Sequence, residues 1–206
     1  AGATLQYPAG FLPGRREVYL NGAAFFEVTK HPDQPFFVYC GNIVTRVLGT
    51  SFTIRPNEKD HQLEVSVKTG KVEVYEKSAA SGVNENNNGV ILLPNQKVIY
   101  EETGGQFVAA IADRPLPVIR TDSAAVSIQQ GIFDETPFAR VLEYLQGSYG
   151  IDILVEDEGM YHCVFTGDIS RQDFFTRLDV LCQATGASYE IKGTRILIKG
   201  RGCNQN

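Results

Sequence analysis

The dipeptide Gly49-Thr50 is where residue type and position in this sequence suggest a covalent step. It lies between the apolar pair Val47-Leu48 and Phe52. A threonine hydroxyl can attack the carbonyl carbon of the preceding residue, converting the peptide to an ester that water then opens. Glycine makes that carbonyl easiest to reach, because it adds no side chain and tolerates strained φ and ψ. The chemistry would be a single self-cleavage, not turnover. The competing account of the same two residues is a bulge or tight turn between strands.

Other reactive groups are sparse. His31 precedes a proline, His61 follows Asp60 and His162 neighbours Cys163, and none lies in a recognised nucleophile context. Glu156-Asp157-Glu158 reads as a solvated loop tip. Four cysteines, at 40, 163, 182 and 203, are too scattered for the paired spacing of zinc or redox sites. Buried thiols are the first account of them, with one bridge, Cys163 to Cys182, as the alternative. No glycine-rich phosphate loop and no helix with paired metal ligands is present, so neither cofactor nor metal is expected and the chain is not read as an enzyme. The net charge of −5 lacks any basic cluster, which argues against nucleic acid as a partner. No apolar run approaches the ~18 residues that cross a bilayer, so this chain is expected to be soluble.

Two kinds of element must position these residues. Up to about Val108 the pattern is short strands: Leu63, Val65 and Val67 alternate with polar neighbours, as do Val72 and Val74. Lys68-Thr69-Gly70-Lys71 between them predicts a hairpin, with Gly70 at positive φ. Asn21-Gly22 and Gly41-Asn42 mark earlier turns, and 78–89 a polar surface loop. From Gly131 the period changes. Phe138, Val141, Leu142 and Leu145 form one helical face, with Thr136 as expected N-cap and Pro137 at the first helical position. Phe174, Leu178, Leu181 and Cys182 repeat the design 36 residues later, with Ser170 as expected cap and Asp173 in the first turn. The expected architecture is an all-β domain over 1–111 (a strand-rich sandwich or a solenoid) and a linker over 112–130. A small α+β domain of two β-α-β units over 131–200 and a tail over 201–206 would follow.

Leu20-Asn21-Gly22-Ala23-Ala24-Phe25-Phe26-Glu27-Val28, Pro35-Phe36-Phe37-Val38, Val47-Leu48-Gly49-Thr50-Ser51-Phe52, Gly70-Lys71-Val72 and Leu93-Pro94-Asn95-Gln96 resemble, in order and spacing, the FecR family of anti-sigma regulators. Gly131-Ile132-Phe133, Pro137-Phe138, Tyr149-Gly150-Ile151 and Phe165-Thr166-Gly167 are similar to the domain that follows FecR in Bacteroidetes-type members, a short secretin/TonB N-terminal-like fold. The resemblance implies a periplasmic relay tethered to the inner membrane. The signalling domain of a TonB-dependent outer-membrane transducer would contact this part, and an extracytoplasmic-function sigma factor would be controlled through a cytoplasmic segment outside these residues. It also implies that some relatives self-cleave at the position of Gly49-Thr50.

For the partner surface, the expected element is an exposed strand edge formed by Thr194, Arg195, Ile196, Leu197 and Ile198. A surface glycan-binding or adhesion module is the alternative, with Tyr75, Tyr100 or Tyr161 stacking on sugars.

Overall fold

Alternation decides the first half of the chain. Residues 2–57, 59–77, 89–118 and 131–203 are described by the computed structural model. The chain divides into two units, Ala1–Ala112 and Asp113–Asn206. The polar stretch 78–88 and the greater part of the expected linker, 119–130, lie outside the described residues.

The first unit holds eleven strands: β1 Thr4–Gln6, β2 Arg16–Asn21, β3 Ala24–Glu27, β4 Phe36–Cys40, β5 Ile43–Val47, β6 Ser51–Asn57, β7 Gln62–Thr69, β8 Val72–Glu76, β9 Val90–Leu92, β10 Gln96–Glu101 and β11 Gln106–Ile111. One sheet runs β1-β2-β4-β5-β8-β9 and the other β11-β10-β7-β6-β3. Neighbours are antiparallel except β2 and β4, which pair in parallel from Arg16↔Phe36 to Tyr19↔Tyr39. Val18, Val38, Ile43, Val72, Val74 and Leu92 from the first sheet pack on Phe26, Phe52, Ile54, Val65 and Val98 from the second in one core. Two sheets sharing one interior make a sandwich, not a solenoid.

The expected hairpin at Lys68–Lys71 is a sheet-to-sheet crossing. β7 belongs to the five-stranded sheet and β8 to the six-stranded one. Val67 and Val72 both face the shared core, so the chain must turn across the sandwich between them. Gly70 keeps its positive φ of 80° there. The Gly41-Asn42 turn is a true hairpin, joining β4 to β5 with Cys40 opposite Ile43.

The second unit contains β12 Ile132–Pro137, α1 Phe138–Tyr149, β13 Asp152–Val155, a 3-10 turn Glu158–His162, β14 Val164–Asp168, α2 Phe174–Thr185, β15 Ser188–Lys192 and β16 Arg195–Lys199. Both β-α-β units are present. β12 pairs antiparallel with β14, and β16 lies between β13 (parallel) and β15 (antiparallel). Phe138 and Phe174, equivalent in the repeat, are both wholly buried, and burying such a side chain stabilises by about 1.5–3 kcal/mol. Gly150 and Gly186 close the helices in the same left-handed conformation, with φ 66° in each.

The helix starts differ from expectation. Pro137 itself occupies the N-cap of α1, and the Thr136 hydroxyl donates to the Asp134 carbonyl (3.0 Å). Asp173, not Ser170, caps α2, accepting from the backbone N–H groups of Phe175 and Thr176. A carboxylate one residue before the helix satisfies two otherwise orphaned donors, which a hydroxyl three residues further back cannot reach.

Candidate functional site

Gly49 and Thr50 lie where the chain passes from β5 in one sheet to β6 in the other. The connection between β3 and β4 holds this crossing by two backbone hydrogen bonds. The N–H of His31 donates to the Leu48 carbonyl (2.8 Å), and the N–H of Val28 donates to the Thr50 carbonyl (2.9 Å). Between those bonds Gly49 presses on the backbone of Lys30. A Cβ at Gly49 would sit 2.4 Å from Lys30 Cα. The second crossing, at Gly70, packs on the first: a Cβ there would lie 2.4 Å from Thr50 Cγ2 and 2.8 Å from the Gly49 carbonyl oxygen. The Lys30 backbone against Gly49, and the first crossing against Gly70, explain why glycine stands in both.

Thr50 is 4 % exposed and its Oγ1 is buried with no hydrogen-bond partner among the described residues. Such a hydroxyl costs stability where it stands. Its oxygen is the atom that would attack the Gly49 carbonyl carbon. No base among the described residues is hydrogen-bonded to it, so the resting geometry holds reactants together without an activating contact.

Around this linkage opens a groove of 510 Å³, lined by Lys30, Arg46, Leu48, Lys71, Glu73 and Ile91 beside Gly49, Thr50 and Gly70. Arg46 is paired with Glu73 at 3.0 Å. Neither Lys30 nor Lys71 has an ion-pair partner among the described residues. Sequence inspection singled out Gly49, Thr50 and Gly70 but none of the groove's walls. Arg46, Glu73 and Ile91 come from three strands, β5, β8 and β9, and only the register Arg46↔Glu73 and Glu73↔Ile91 lines them up.

The expected partner edge is overturned. Arg195, Ile196, Leu197 and Ile198 belong to β16, the central strand of its sheet, with Thr194 in the turn before it. Ile196 pairs with Ile153 on one side and Ile191 on the other. Ile196 and Ile198 are wholly buried, and burying them places this strand in the middle of its sheet. Among the described residues the edges of that sheet are β13 and β15, where Leu154 and Ile191 are 48 % and 46 % exposed.

The bridge is also corrected. Cys163 pairs with Cys203, their Cα atoms 5.2 Å apart, within the span a disulfide allows. Cys182 is a free, buried thiol on the inner face of α2, pushed up to about 11 by burial, and Cys40 is likewise free and buried. The C-terminal segment lies along the 3-10 turn, with Gly202 so close to Gly159 that a Cβ would meet its backbone at 2.6 Å. The expected tail is thus part of the unit as far as Cys203.

Tyr75 and Tyr100 do not share a sugar platform. Tyr100 is 4 % exposed on β10 and its hydroxyl donates to the Glu76 carboxylate, while Tyr75 is half-buried on the other sheet. Tyr161 belongs to the second unit. Another unanticipated residue is Arg177, buried in α2. Its guanidinium donates to the carbonyls of Gln172 and Ser170 (both 2.8 Å) and tethers the loop before its own helix. Among the described residues no His, Cys, Asp and Glu group could hold a metal ion, and no helix is long and apolar enough to cross a membrane.

The first unit is a β-sandwich with the Gly49–Thr50 linkage in a groove, and the second is built from two β-α-β units. Residues 5–73 match the family model described as FecR protein, and residues 131–198 match that described as FecR, C-terminal. The chain belongs to the FecR family of anti-sigma factors. Two crystal structures from Parabacteroides distasonis ATCC 8503, described as a candidate anti-sigma factor, are similar to it at 27 % and 26 % identity. In each case the match covers 98 % of this chain and 88 % of the other, with a TM-score of 0.47. No curated protein matches the chain.

Proposed function

We propose that this chain is the periplasmic receiving part of a membrane-tethered anti-sigma factor. It takes a signal from the signalling domain of a TonB-dependent outer-membrane transducer and passes it to an extracytoplasmic-function sigma factor through a cytoplasmic segment. The observation that carries this reading is the match of both halves, in order, to the two FecR models. The Cys163–Cys203 bridge agrees with it, because such bonds persist in oxidising compartments such as the periplasm.

The partner would add a strand to β13 or β15, whose outer edges carry no strand in the second unit's sheet. Calorimetric titration with the signalling domain of the receptor encoded beside this protein tests the relay. A saturable 1:1 heat with Kd near or below ~10 μM supports it; a flat titration with both partners folded rejects that receptor as the input. Leu154→Lys and Ile191→Lys, at exposed edge positions, separate the two edges: one should weaken binding at least about tenfold. Equal binding by both variants removes the edges from the reading.

Self-cleavage at Gly49–Thr50 belongs to the same proposal. Attack by Thr50 Oγ1 on the Gly49 carbonyl carbon breaks the C–N bond, leaving an ester and a free Thr50 amine, and water then hydrolyses the ester. Mass spectrometry under denaturing conditions reads it directly. Two fragments ending at Gly49 and starting at Thr50 support it, whereas a single intact mass after prolonged incubation rejects it.

A further inference from the structure

We infer that the groove over the Gly49–Thr50 linkage is a docking site for an extended peptide segment that alternates carboxylate and aliphatic side chains. This site lies in the first unit and is separate from the relay edges of the second.

Charge is the first argument. The protein carries a net charge of −5, yet the one carboxylate among the groove's described residues, Glu73, is already paired with Arg46, and Lys30 and Lys71 have no ion-pair partner among the described residues. A positive groove on an acidic protein selects an anionic occupant. Shape and polarity restrict it further. Leu48 and Ile91 stand in the same groove with 42 % and 54 % of their surface exposed, which a small inorganic anion or a polyhydroxyl chain would leave wet.

The backbone supplies the third argument. Ile91 lies on β9, the end strand of the six-stranded sheet among the described residues, hydrogen-bonded to β8 on one side. A chain laid beside it can gain main-chain hydrogen bonds while one face of its side chains turns towards the groove that Lys30 and Lys71 line.

The test uses the whole chain and a dye-labelled peptide alternating Glu and Leu, followed by fluorescence anisotropy. Binding with Kd of about 10–100 μM is expected, weakening as salt rises. Lys30→Glu/Lys71→Glu should lose at least about tenfold in affinity and gain a peptide alternating Lys and Leu, a charge exchange that nonspecific adhesion would not reproduce. Both lysines are exposed, and Lys30→Gln/Lys71→Gln, which removes charge without reversing it, should fall between. Absence of binding by the wild-type chain up to about 500 μM overturns the inference, as does equal affinity in the reversed variant. Polygalacturonate competing as strongly as the peptide also overturns it, since the site would then read negative charge alone.

Discussion

Replacing Cys203 with Ser opens the loop that the bridge closes in the unfolded chain. The two cysteines are separated by 40 residues. A closed loop of that length lowers unfolded-state entropy by about 13 cal/mol/K, or ~4 kcal/mol at 25 °C. At about 4–8 °C per kcal/mol for a unit of this size, the second unit's transition should fall by ~15–30 °C in scanning calorimetry. The loop encloses β14, α2, β15 and β16, so the loss should appear in that unit, and reductant added to the wild-type chain should reproduce it. Alkylation after denaturation without reductant gives an independent count: the free thiols are Cys40 and Cys182, so two labels are expected. Four labels on the oxidised protein, or a loss below about 1 kcal/mol with the bridge intact in the parent, would refute the reasoning.

Four further expectations concern the first unit and the tyrosines. Thr50→Val removes a buried hydroxyl without a partner and should raise stability in denaturant unfolding by ~1 kcal/mol, while abolishing any Gly49–Thr50 fragments. Gly70→Ala meets Thr50 Cγ2 at 2.4 Å from a positive φ and should cost at least ~2 kcal/mol. Gly104→Ala, whose Cβ would approach only Gln106 Cγ at 3.9 Å, should differ from wild type by less than ~0.5 kcal/mol. Tyr39 is pushed up to about 12 by burial and then by Glu17, Tyr100 to about 12 by its hydrogen bond to Glu76, and Tyr189 to about 12 by burial and then Asp179. The folded state holds these phenols neutral, so their contribution is complete below pH ~10 and is lost as pH rises towards 12. In an ultraviolet titration they should ionise last, together with unfolding; nine tyrosines ionising near pH 10 in a folded protein would contradict this.

The sequence made legible what depends on short-range pattern. Alternation in β7 and β8 was visible, as were the helical faces led by Phe138 and Phe174 and the 36-residue repeat. Pairing between distant segments was not. Lys68–Lys71 has hairpin chemistry, but the common core beneath Val67 and Val72 sends its two strands to opposite sheets. The last strand, expected at an edge, is folded inward between β13 and β15 by a tight turn at Gly193, with φ 61°. Cys203 gave no signal, because only the path of the chain brings it to Cys163. For the candidate site, Gly49 and Thr50 were apparent from their chemistry. The groove needed the cross-strand register that places Arg46, Glu73 and Ile91 in a row.

The interleaving of strands around Gly49–Thr50 separates two events usually treated as one, cutting a chain and parting its pieces. Upstream of the linkage, β3 is bonded to β6 by four residue pairs, and β5 is bonded to β8 by five. Each piece of a nicked molecule would therefore contribute strands to both sheets, as two combs pushed together. Such a nick would leave the outline and hydrodynamic size of the sandwich unchanged. It would nevertheless remove the covalent path along which tension applied at one end reaches the other. The sandwich would then resist heat nearly as before but yield to pulling at its two ends, where only ladder hydrogen bonds and the shared core would bear the strain.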